Sequence, residues 1–303
     1  MSQFHIRPAT AADLPAVHSI WYNDAIASDP QPPEQGPVLS GFTYELEHGV
    51  LRVAEDESGQ VIGFGATVSW DGPHGPLTYL ADLFIKPDAQ SHGIGQALLR
   101  ALPLEAGGRC VHASVDPRAA TLYIRTGMLP RWANLRLVAD PTWGAHGLAT
   151  LPGGDVEVIE ASEDDPDLVA WDLRGFGYAR LNDIPWLMKS RDAQPLWFQR
   201  AGKRIGYGFV QRNCGESLRR PNAWGVGPIG AETPEDARDC VCAATNWTVE
   251  RTGAARLGVP GPHPALAPLI AAGCRIVYNE LFLASPDARI FDTERYLPSG
   301  YFL

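Results

Sequence analysis

Residues 77–104, LTYLADLFIKPDAQSHGIGQALLRALPL, constrain the fold more than any other stretch of the chain. Leu77, Tyr79, Ala81, Leu83 and Ile85 alternate with Thr78, Leu80, Asp82, Phe84 and Lys86. That is period two with both faces largely apolar, the pattern of a central strand. On this alternation Asp82 shares a face with Leu80 and Phe84. Pro87 ends the strand, because proline has no N–H for the ladder. After Gln90-Ser91-His92-Gly93-Ile94-Gly95, the residues Ile94, Ala97, Leu98, Ala101 and Leu102 form one apolar helical stripe, closed by Pro103.

A strand that enters a helix through a glycine turn makes a phosphate cradle. The first helical turn has free N–H groups, its dipole adds positive charge, and glycines let the backbone approach a pyrophosphate. The stretch lacks the Gly-Lys-Ser/Thr of a Walker loop and the third glycine of a dinucleotide fingerprint. Gln90-x-x-Gly93-x-Gly95, following Ile85-x-Pro87, instead resembles the acetyl-CoA pyrophosphate loop of GCN5-related N-acetyltransferases (GNAT), Arg/Gln-x-x-Gly-x-Gly/Ala.

A second motif lies about 30 residues on. Arg109–Val115 reads as a strand. Asp116 caps the next helix, Pro117 takes its first position and Gly127 ends it. Asp116-x-x-Ala119-x-x-Leu122-Tyr123-x-Arg125-x-Gly127-Met128 resembles the family's Asn-x-x-Ala-x-x-Leu-Tyr-x-Lys-x-Gly-Phe. Asp116 replaces asparagine, which puts one hydrogen bond near the cofactor arm in doubt; Met128 replaces phenylalanine and keeps an apolar anchor. Further upstream, Phe4–Ala9 reads as a strand, and Thr10 with Asp13 as a capping-box-like start to a helix. Residues 50–55 and 60–70 read as a hairpin around Asp56–Gly59.

The chain has 303 residues, enough for two domains, and is 45% hydrophobic and 20% charged. Its net charge of -10 argues against nucleic acid or an anionic membrane as partner. No apolar run approaches the 18 or so residues of a membrane span, and the start has no apolar signal core. Five cysteines with no C-x-x-C pair speak against a disulfide framework or zinc site and for a reducing cytoplasm.

The resemblance implies a set of roles. Tyr123 matches the tyrosine that protonates the departing CoA sulfur. The backbone of Leu83, Phe84 and Ile85 would bind the acetyl and pantetheine arm, and Gln90, Ser91, His92, Gly93, Ile94, Gly95 and Gln96 the pyrophosphate, with Asp116 nearby. No metal is implied. A base must take the amine's proton before attack. Asp82, the one carboxylate inside the central strand, is the first candidate, because burial there would raise its pKa; His112 and Glu45 are weaker ones. In this family the segment between the first two helices lines the acceptor site. Here that segment holds the proline-rich loop 29–37, DPQPPEQGP, and Trp21, Tyr22, Asp24, Tyr44 and Glu45 lie on or around it. Acidic and aromatic groups together suit an ammonium substrate.

Gly144, Gly147, Pro152, Gly153 and Gly154 mark a linker, after which DVEVIEAS-EDD echoes FHIRPATAAD. Trp197–Gln211 reads as a hairpin, Ala223–Ala231 as the equivalent central strand, and Thr233 caps a helix running to about Glu250. Residues 279–284 read as a late strand, and the apolar end RYLPSGYFL as a segment that docks. Pro264-Ala265-x-x-Pro268-Leu269-x-x-x-Gly273-Cys274 aligns with Ala119–Met128, but Leu269 stands where Tyr123 stands. Ala231–Glu235 has no Gly-x-Gly and carries two carboxylates that would repel a pyrophosphate.

The fold expected is therefore α/β with mixed sheets, in two tandem acyl-CoA N-acyltransferase-like domains. Residues 1–142 hold the acetyl-CoA site, 143–154 form a linker, and 155–303 form a degenerate copy. The whole resembles tandem acetyltransferases such as the mycothiol synthase type, in which the active copy is the C-terminal one, so that activity does not carry over. The expected function is acetyl-CoA-dependent acetylation of a small primary amine or an amino terminus by direct transfer in a ternary complex, by a monomer or homodimer. Two rivals are a non-catalytic acyl-CoA-binding protein and an acyltransferase that uses another acyl-CoA or an oxygen acceptor.

Overall fold

A computed structural model describes residues 4–27, 29–104, 107–143, 148–214 and 223–303. The first half supplies β1 (Phe4–Pro8), α1 (Leu14–Ile26), α2 (Ser40–His48), β2 (Val50–Asp56), β3 (Val61–Trp70), β4 (Leu77–Ile85), α3 (Ile94–Ala101), β5 (Gly108–Ala113), α4 (Pro117–Arg125) and β6 (Leu129–Ala139). The second supplies β7 (Glu157–Glu160), α5 (Pro166–Phe176), α6 (Asp183–Ser190), β8 (Ala193–Arg200), β9 (Lys203–Gln211), β10 (Trp224–Ala231), α7 (Pro234–Thr252), β11 (Ala255–Pro260), α8 (Leu266–Ala271), β12 (Arg275–Ala284) and β13 (Tyr296–Leu297). Gly144 and Gly147 of the expected linker lie outside the described residues.

Local chemistry sets many boundaries. The Asp13 carboxylate accepts from the Thr10 N–H (2.8 Å) and hydroxyl (2.9 Å) while Arg7 grips its other side, which opens the first helical segment. Asp116 accepts from the Arg118 N–H at 2.8 Å to cap α4, and Thr233 accepts from the Asp236 N–H at 3.1 Å to cap α7. Both helices have proline in their first turn. The strand expected to reach Val115 ends at Ala113, and Val115 is exposed.

All strands among the described residues join one 13-stranded sheet in the order β1-β2-β3-β4-β5-β12-β6-β11-β10-β9-β8-β7, with β13 against β10. The two halves exchange a strand. β12 of the second half lies between β5 and β6 of the first, and β6 lies between β12 and β11. The antiparallel β6–β12 ladder is its own image. Arg275 faces Val138 as Leu129 faces Ala284, and Asn279 faces Leu135 as Leu281 faces Ala133. Even the two register shifts, at Ile276/Tyr278 and Phe282/Leu283, mirror each other. A pseudo-two-fold axis therefore runs through the sheet where Asn134 faces Glu280.

That axis puts α1, α2, α5 and α6 on one face. The largest core lies there and joins the halves: Trp70, Tyr79 and Tyr44 of the first pack with Phe176, Tyr207 and Phe302 of the second. Helices α3 and α4 cover the other face of the first half, where Leu99 and Tyr123 pack with Leu80, Val111 and Met128. The segment 295–303 docks fully, with Tyr296, Leu297, Phe302 and Leu303 buried.

Candidate active site

Strand β4 changes character along its length. It pairs with β5 only from Leu77↔Gly108 to Leu80↔Val111, and beyond that the two diverge. Leu77–Leu80 are buried, whereas Ala81–Ile85 are half-buried although the strand is central. Among the described residues no strand covers that edge, so the backbone groups of Leu83, Phe84 and Ile85 line an open wedge. A register shift against β3 at Ala81 accompanies the divergence. It also changes which way Asp82 points. Leu80 packs under α3 and α4 while Phe84 packs under α1, and Asp82 meets Glu45 of α2. The expected common face of Asp82 with Leu80 is thus corrected. Strict alternation fails because the extra residue turns the strand over.

At the wedge mouth, Gln90 donates to the Ile85 carbonyl at 3.2 Å and closes the loop onto the end of β4. Ser91 (φ 68°) and Gly93 (φ 83°) are left-handed, which curls the loop before α3 begins at Ile94. A Cβ on Gly93 would meet nothing within 4 Å, so the loop faces free space. Gly95 is tighter, for a Cβ there would lie 3.3 Å from Ile85 Cδ1. Ser91, His92 and Gln96 are exposed and Ile94 is buried, so Ile94 can offer only its backbone. The loop thus ends in the free N–H groups of the α3 N-terminus, beside open space.

Across the wedge, Asp116 spends its carboxylate on the α4 N-terminus and on Arg118, at 2.7 Å. Arg118 in turn donates to Gln90 Oε1 at 3.1 Å. This exposed cation beside the cradle was missed at the level of sequence, where its only signal is its position two residues into a helix that borders a phosphate loop. Tyr123 is buried, and burial followed by the charges of Asp82 and Asp116 pushes its pKa well up, so its hydroxyl stays protonated.

On the α1/α2 side, Glu45 is fully buried and neither of its oxygens has a well-formed hydrogen-bond partner among the described residues. Burial, then the charge of Asp82, raises its pKa well above the carboxylate range. Asp82 keeps some surface, but the packing around it raises its pKa to about 6, against a hydrogen bond from Glu45 that lowers it. The pair thus holds one proton near neutrality, on Glu45. Deeper in, Tyr79 Oη lies 3.3 Å from His112 Nδ1. Burial takes His112 down to about 4, so it is neutral at pH 7. Glu280, from the second half, is held by Arg136 (2.8 Å) and Asn134 (3.0 Å). Burial opposes its ionisation, but Arg136 outweighs it and leaves the carboxyl at about 2. Its sequence signal was a lone carboxylate in the apolar run NELFLA.

The other expected acceptor residues do not converge. Trp21 packs against His18 and Phe42, and the Tyr22 hydroxyl is taken by the Pro33 carbonyl. Tyr44 is bonded to Asp183 inside the core between the halves. Asp24 is exposed on α1, where burial and the charge of Asp116 raise its pKa. Among the described residues no group of three or more metal-ligating side chains occurs, and no helix is long and apolar enough to cross a membrane.

A family model described as "Acetyltransferase (GNAT) domain" matches residues 47–127, the stretch that builds the wedge, the cradle and α4. The chain carries a GNAT acetyltransferase domain. A mycothiol acetyltransferase from Sanguibacter keddieii is 28% identical over 252 residues, 74% of this chain and 76% of that protein. A Pyrococcus horikoshii protein assigned as an acetyltransferase superposes with TM-score 0.71 at 20% identity, over 99% of this chain and 95% of the other. A tandem GNAT protein from the clavulanic acid biosynthesis pathway gives TM-score 0.61 at 15% identity, over 95% and 99%. The GNAT match lies in the first half. GNAT acetyltransferases use acetyl-CoA, and the mixed α/β tandem architecture is that of GNAT pairs.

Proposed function

We propose that the first half transfers the acetyl group of acetyl-CoA directly to the primary amine of a small molecule or an amino terminus. The observation that carries this reading is Asp82, with its pKa near 6, beside the open edge of β4. Acetyl-CoA supplies the activated thioester. The amides of the Ser91–Gln96 cradle hold its pyrophosphate, and the free edge at Leu83–Ile85 bonds the pantetheine arm as a further strand would. A backbone N–H on that edge stabilises charge that develops on the carbonyl oxygen. Asp82, ionised above about pH 6, takes a proton from the incoming ammonium so that a neutral amine attacks. Tyr123, held neutral by burial, gives its proton to the departing sulfur and is reprotonated by the proton that leaves the acetylated nitrogen. The acidic pair Glu45–Asp82 favours a cationic acceptor. Residues 1–142 form the active copy and 155–303 a degenerate one, interlocked by the strand exchange.

Calorimetric titration of acetyl-CoA into the full chain and into Gly93→Asp tests the reading. One site per chain, lost in the variant, followed by turnover in an amine screen, is the expected result. Two sites would mean that the second half binds as well. No binding would overturn the acetyltransferase reading.

A further inference from the structure

The second half keeps the wedge and fills it. β10 pairs with β11 only from Trp224↔Ala255 to Val226↔Leu257 and then departs, as β4 does from β5. Where the first half leaves the edge open, β13 lies antiparallel on β10, with Ile229 facing Leu297 and Gly230 facing Tyr296. The Ala231 N–H extends that ladder to the Arg295 carbonyl at 3.1 Å. A strand made of this chain's own residues occupies the position of a cofactor arm.

From that wedge the chain runs toward the first half under tight restraint. Gln211 donates to the Ser299 carbonyl at 2.8 Å, Arg136 to the Gly300 carbonyl at 2.5 Å, and Arg180 to the Leu303 carbonyl at 2.8 Å. Between these anchors the Tyr301 ring is boxed by Trp186 (5.5 Å between centroids), Phe302 (4.6 Å) and the Arg191 guanidinium (4.8 Å). Its hydroxyl abuts the first turn of α2, so closely that a Cβ on Gly41 would overlap it. One turn further on, the same hydroxyl faces the Glu45 carboxyl, the fully buried group without a well-formed partner.

We propose that Tyr301 is a positioning residue, which turns the Glu45 carboxyl so that its proton faces Asp82, and that the filled wedge of the second half exists to hold the segment carrying it. The proposal rests on Asp82 being the base. A hydroxyl that donates to one Glu45 oxygen leaves the proton on the other, toward Asp82. A hydrogen bond from Glu45 stabilises ionised Asp82, so its loss leaves burial unopposed and makes Asp82 harder to ionise. The other titratable groups facing Asp82 are Tyr79 on its own strand and Tyr123 on α4. Behind Tyr79 stand His112 of β5, Arg136 of β6 and Glu280 of β12. Glu45 interacts with both Tyr301 and Asp82, so a change at Tyr301 reaches Asp82 through Glu45.

The test is a carboxyl-13C NMR titration of Asp82 in the full chain, assigned with Asp82→Asn, together with the pH profile of kcat/KM. Tyr301→Phe is expected to move both the Asp82 midpoint and the acid limb of the profile upward by about one pH unit. Gly41→Ala, which displaces the ring and keeps the hydroxyl, should move both in the same direction and guards against a Tyr301 variant that fails to fold. If kcat falls while midpoint and limb stay where they are, Tyr301 is only structural and the proposal is overturned. Should the wild-type chain turn over no amine, the functional reading fails, yet the titration still judges the coupling of Tyr301 to Asp82.

Discussion

Asn134 and Glu280 face each other at the centre of the β6–β12 ladder, one from each half, with the Asn134 amide donating to Glu280 at 3.0 Å. Strand exchange is thereby locked by a polar contact on its own axis, and Arg136 adds the charge that keeps Glu280 ionised. Two halves joined in this way cannot separate by bending a linker; the sheet itself would have to tear.

Replacing Glu280 with alanine leaves Arg136 half-buried without its carboxylate. The expected loss of unfolding stability at pH 7 is roughly 2–4 kcal/mol, set somewhat below the roughly 3–5 kcal/mol of a fully buried broken pair because both side chains keep some solvent contact. Glu280→Gln gives the pH signature. The folded carboxyl sits at about 2, below its ordinary 4.5, so its contribution is present above pH 4.5 and fades as pH falls toward 2. Denaturant melts of wild type and variant should differ most at neutral pH and converge in acid. A difference that does not depend on pH would rule out the ion pair as its source.

Asp82 carries the opposite sign. Its folded pKa, about 6, lies above the ordinary 3.8, so the folded state is favoured at low pH and loses that advantage as pH rises through 6. Asp82→Asn should therefore raise stability at pH 8 by on the order of 1–3 kcal/mol and leave it unchanged near pH 4. The same variant should lose at least about 100-fold in kcat while acetyl-CoA still binds. A more stable, inactive, cofactor-binding protein is the expected result, read by thermal melts, steady-state kinetics and calorimetry. Destabilisation at pH 8 would contradict the burial of a charge at this site.

The readable parts of this chain were the local ones. Gln90–Gly95 and Asp116–Met128 carry their geometry in cap residues, glycines and apolar spacing, and the cradle and α4 follow from neighbours within a turn or two. Asp82 was legible as the carboxylate of the central strand but not in its direction, because the shift at Ala81 is set by pairing with β3. The exchange of β6 and β12 left no trace in either strand, since each is apolar enough to sit beside its own half or the other. Helix α2, which carries Glu45, was expected only as a second helix of unstated extent, and α5 and α6 were not placed. Tyr301 was visible only as part of an apolar end; what it faces depends on contacts with residues as distant in sequence as Gly41.

Tyr123→Phe separates chemistry from binding. The ring packs in the core under α4 with Leu80, Val111 and Met128, and phenylalanine fills the same space. The wedge and the cradle lie outside that change, so the affinity for acetyl-CoA should stay within about twofold. Loss of a positioned proton donor typically slows a step by roughly 100-fold or more. Turnover should fall by that order if thiolate departure limits the rate, and least with acyl donors whose leaving thiol is more acidic. Rates of wild type and variant on acetyl-CoA and on an acetyl thioester with an activated thiol check this. A fall of equal size on both donors would place Tyr123 in packing rather than in proton donation.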